Sequence, residues 1–83
     1  MSMDRAIFNL GASVEATSLY ILLCALLDQG ESLTLDRAGI QWNGTREELI
    51  KAAEELAERG VLATSKPVAH DQAIQLNSPS KWQ

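Results

Sequence analysis

The chain has 83 residues, 46% of them hydrophobic, with seven Lys or Arg against eleven Asp or Glu and a net charge of −4. That length holds one domain and one core, and the apolar share is that of a chain that folds rather than one that stays disordered. The acidic balance weighs against non-specific binding to nucleic acid or to an anionic membrane, although it leaves room for a local basic patch.

A single cysteine, Cys24, rules out an intramolecular disulfide, and the apolar run around it, 19–27, is nine residues long and too short to span a bilayer. The expectation is a cytoplasmic domain with no secretory leader and no membrane contact.

The first segment, 1–12, is an arm in which Ile7, Phe8 and Leu10 sit among Asp4 and Arg5 without a clear period. Apolar residues on so small a domain either fold back on its own core or meet a second copy. From Ser13 the pattern turns helical, with Ser13 placed to cap, Glu15 in the first turn and Gly30 after the last periodic residue, which predicts a helix over 14–29. Its second half is apolar nearly all round, as expected for the hub of the core or for half of a dimer interface.

The stretch 31–35 is suited to a brief strand pairing, after which Thr34 caps a short helix over 35–40 and Asn43-Gly44 signals a turn. Thr45-Arg46-Glu47-Glu48 has the form of a capping box, so a third helix starts at Thr45. Leu49, Ala53 and Leu56 form its inner face, Glu47, Lys51, Glu54, Glu55 and Glu58 its solvated face, and Gly60 with Val61 its end. Beyond Gly60 the period becomes extended. The segments 61–64 and 73–76 read as a β-hairpin around the polar stretch 65–72, and 77–83 reads as a flexible tail on which Trp82 offers a docking group.

A capped helix ending in Arg59-Gly60-Val61-Leu62 and followed by a hairpin, with Leu33-Thr34-Leu35-Asp36 opening the short helix before it, resembles the bacterial winged helix-turn-helix superfamily. The resemblance covers 13–76 and implies an α+β fold of three helices with a C-terminal β-hairpin wing. In DNA-binding members the second helix of the helix-turn-helix enters the major groove and the wing touches the backbone. Carried onto this chain, that assigns Asn43, Thr45, Arg46, Glu47 and Lys51 on the third helix, and Lys66 and His70 in the wing.

The charges fit that role poorly. Between Arg46 and Arg59 three positive residues (Arg46, Lys51, Arg59) face five negative ones (Glu47, Glu48, Glu54, Glu55, Glu58), a sum of −2 on the element that would lie between phosphate rows. A protein-interaction or accessory regulatory module, in some form a homodimer through the arm and first helix, fits better than the alternative of a DNA-binding regulator. Trp42, just before the third helix, is either a partner anchor or a packing residue at the corner.

No nucleophile-and-base pair, phosphate-cradling glycine loop or zinc spacing is present, so neither an enzyme nor a bound cofactor or metal is expected. His70 reads as a loop histidine. Cys24 reads as a packing residue rather than a redox-sensing thiol.

Overall fold

Three hydroxyl side chains start three helices. In the computed structural model, which describes residues 5–63 and 73–82, Ser13 Oγ accepts from Ala16 N, Thr34 Oγ1 from Arg37 N and Thr45 Oγ1 from Glu48 N, at 3.1–3.2 Å. The helices that follow are α1 (Val14–Asp28), α2 (Leu35–Gln41) and α3 (Arg46–Glu58). Each hydroxyl satisfies an amide that the first turn of a helix leaves without an internal partner. The capping box at Thr45 is complete, since Glu48 Oε1 also accepts from Thr45 N at 2.9 Å.

α1 and α3 end alike. At Gly30 and Gly60 the backbone turns left-handed, the amide of Glu31 reaches the Leu26 carbonyl, and that of Val61 reaches the Leu56 carbonyl. These are Schellman closures, in which glycine carries no Cβ penalty.

α1 packs against α3, and α2 leans on both. Their buried side chains, Leu19, Leu23 and Leu26 with Leu35 and Ala38 and with Leu49, Ala53 and Leu56, make one core. Each buried leucine contributes roughly 1.5–3 kcal/mol of transfer free energy. The N-terminal segment forms a 3-10 turn, Arg5–Asn9, that folds Ile7 into this core and leaves Phe8 60% exposed.

The expected α+β fold with a hairpin wing is not what the chain forms. Among the described residues there is no strand, only an isolated antiparallel bridge between Leu62 and Leu76, so what is described is a small all-helical domain. The amides of Val61 and Leu62 both donate to the Leu56 carbonyl in closing α3, and the bridge is held by two bonds, Ala63 N to Gln75 O at 2.9 Å and Asn77 N to Val61 O at 2.8 Å. Both side chains are buried side by side, where a strand would send them to opposite faces. Ile74 N donates instead to Leu33 O, at 2.7 Å, so the segment 73–77 is shared between two short partners. The proposed tip of the wing, 65–72, with Lys66 and His70, lies outside the described residues.

The C-terminal segment crosses the end of α3. Asn77 Nδ2 donates to the Gly60 carbonyl at 2.8 Å, and Trp82 Nε1 donates to the Asn77 carbonyl at 3.1 Å. The Trp82 ring packs edge-on against Tyr20, with centroids 5.3 Å apart. No helix among the described residues is long and apolar enough to cross a membrane.

Candidate interaction face

α2 is only seven residues long, and at Trp42 the chain leaves it in extended backbone (φ −76°, ψ 130°). The indole is thereby laid, half-buried, across the corner between α2 and α3, against the core. Two grooves meet there. One, of about 280 Å³, is lined by Leu35, Ile40, Trp42, Arg46 and Leu49; the other, of about 350 Å³, by Val14, Ser18, Leu22, Trp42, Asn43 and Glu48. Trp42 and Gly44 belong to both. A third groove, of about 320 Å³, continues from the second through Glu15 and Glu48 to Ser13, Lys51 and Glu55.

Two aliphatic side chains at the edges of the first two grooves are open to water. Val14 is 78% exposed and Ile40 76%, the two most exposed large hydrophobic residues among those described. Gly44 is fitted to this corner by space, not by backbone angle: a Cβ there would stand 2.8 Å from Trp42 Nε1 and 3.1 Å from Glu48 Oε1. Trp42 Nε1 is buried without a hydrogen-bond partner among the described residues. An unpaired buried donor costs about 1–3 kcal/mol.

Of the residues singled out from the sequence, Trp42, Asn43 and Arg46 line the two apolar grooves and Lys51 the third. Thr45 is the N-cap of α3, and Glu47 is exposed in its first turn. Val14, Glu15, Ile40, Glu48 and Glu55 complete the face and had not been singled out as contacts.

The cations are partly committed elsewhere. Arg59 Nη1 donates to the Leu10 carbonyl at 2.9 Å, and Arg37 pairs with Glu31 at 3.0 Å. Cys24 is buried on the inner side of α1, and loss of hydration holds its thiol above the usual range, helped by Asp28 and opposed by a Tyr20 hydrogen bond. A protonated, buried thiol is a packing group.

No family model, no curated protein and no solved structure matches this chain.

Proposed function

We propose that this chain is a protein-interaction module, serving as an accessory regulatory domain, and that its docking face runs from Val14 across Trp42 to Ile40. The junction at Trp42 carries the reading: two grooves share one half-buried indole and are flanked by aliphatic side chains more than three-quarters exposed. Exposed aliphatic surface around a groove is a feature of association sites, and tryptophan is among the side chains that most often anchor them.

The alternative, a DNA reader using Asn43, Thr45, Arg46 and Lys51, has less support. Arg46 and Lys51 share the exposed side of α3 with Glu47, Glu48 and Glu58, while Arg59 is spent on the fold. Self-association through the N-terminal segment is the form of the proposal in which the partner is a second copy. The burial of Ile7 leaves Phe8 as the exposed large apolar residue among the described residues of that segment.

The test compares wild type with Val14→Asp and Ile40→Asp as immobilised baits in extract of the source cells. Partners retained by wild type and lost by both variants, with unchanged melting temperatures, support the reading. Identical retained sets, or tight binding to mixed duplex DNA with a steep salt dependence, overturn it.

A further inference from the structure

We infer that the surface seated on this face is a cationic amphipathic helix, its apolar side against Val14, Leu22 and Trp42 and its Lys or Arg side chains over Glu15, Glu48 and Glu55. The inference rests on the docking reading above and adds the chemistry of the occupant.

Charge is the first argument. The charged residues lining the second groove, Glu15 and Glu48, are both acidic, and the groove continuing from it adds Glu55 against Lys51. The two linings thus hold three carboxylates and one ammonium, with the Arg59 guanidinium near enough to Glu55 to lower its carboxyl further. Glu48 and Glu55 are held ionised, mainly by the amides of Thr45 and Ser13 respectively, which keep both carboxyls below the usual range. Both capping bonds of Glu48 end on Oε1.

The shape of the neighbouring surface is the second argument. Along α1, Val14, Ser18, Ile21, Leu22 and Ala25 recur at helical spacing on the side that is exposed or half-buried, with no charged residue between Glu15 and Asp28. That strip runs about 16 Å, three turns of a helix, and its small members Ser18 and Ala25 allow close approach of another helix. An occupant laid along it reaches Trp42 through the groove that Val14, Ser18 and Leu22 share with the indole.

The same charges weigh against a nucleic acid, which would bring phosphates to carboxylates, and a second copy fits only if its few cations, Arg46 and Lys51, are the groups it brings to this patch.

The test titrates the ¹⁵N-labelled protein with an amphipathic Leu/Lys peptide of about 18 residues, a Leu/Glu peptide of the same pattern and a scrambled Leu/Lys peptide. The patterned Leu/Lys peptide is expected to shift amides within 14–22 and 41–48. Glu15→Lys and Val14→Ser should each weaken it by about fivefold, whereas Phe8→Ser, on exposed apolar surface away from the grooves, should not. Equal binding of the Leu/Glu or scrambled peptide overturns the inference, as do shifts centred elsewhere or a dimer that Val14→Asp dissolves. If Val14→Asp and Ile40→Asp lose captured partners while the Leu/Lys peptide does not bind, the chemistry assigned to the occupant falls and the docking face stands.

Discussion

Glu55, in the third turn of α3, caps α1: its Oε2 accepts from Ser13 N and its Oε1 from Ser13 Oγ, both at 2.7 Å. Ser13 Oγ accepts in turn from Ala16 N. A carboxylate at the N-terminus of α1 is favoured by the helix dipole, so one side chain both satisfies the cap and ties α3 to α1. Ser13→Ala removes the cap oxygen and one of the two carboxylate contacts. It should cost about 1 kcal/mol in urea unfolding, or roughly 4–8 °C in melting temperature for a domain this size.

The same contact gives the fold an acid-side pH dependence. The carboxyls of Glu55 and Glu48 are lowered in the folded state by the amides of Ser13 and Thr45, so the unfolded chain takes up protons first as pH falls. Their contribution is therefore present above the ordinary glutamate range and lost as pH drops through about 4 and below. Thermal melts from pH 6 to pH 3 should show falling stability, and Glu55→Gln should flatten that fall while lowering stability at pH 7. An unchanged slope in the variant would remove Glu55 from the account.

Gly60 turns at φ +77°, and a Cβ there would stand 2.5 Å from the Lys81 carbonyl oxygen. Gly60→Ala meets both the left-handed penalty and the crossing C-terminal segment. It should destabilise by at least about 1 kcal/mol and release Trp82, read as a red shift of its emission in a Trp42→Phe background.

The two tryptophans should respond differently to loss of their N–H. Trp82 Nε1 donates to the Asn77 carbonyl, whereas Trp42 Nε1 has no partner among the described residues. Both are half-buried, so Trp→Phe removes a similar volume at each. Trp82→Phe should cost about 1 kcal/mol more than Trp42→Phe in the same chemical denaturation series.

The helices were legible because their signals are local. Ser13, Thr34 and Thr45 begin them, Gly30 and Gly60 end two of them, and the reciprocal Thr45–Glu48 bonds are those the motif implies. The hairpin shrinks to a bridge because a short apolar run does not state its backbone partners: Ala63 N to Gln75 O and Asn77 N to Val61 O are the bonds that join the two segments among the described residues, while Val61 donates to Leu56 and Ile74 to Leu33. Glu55 looked like part of a solvated face because Lys51 and Arg59 stand one turn away on either side, whereas its partner Ser13 is 42 residues distant. Val14 and Ile40 carry no sequence signal that separates them from buried aliphatics, and only the packed structure shows them turned outward. Gly44 was legible as a turn residue, but its contact with the Trp42 indole depends on where the corner brings the ring.

The docking face is tested most directly by a photo-crosslinking residue placed in turn at 14, 40 and 8 in the protein expressed in its source cells. Positions 14 and 40 flank the Trp42 grooves, and position 8 is exposed apolar surface away from them. The account predicts a shared protein adduct from 14 and 40 and none from 8. Adducts from 8 with none from 14 or 40 would contradict it.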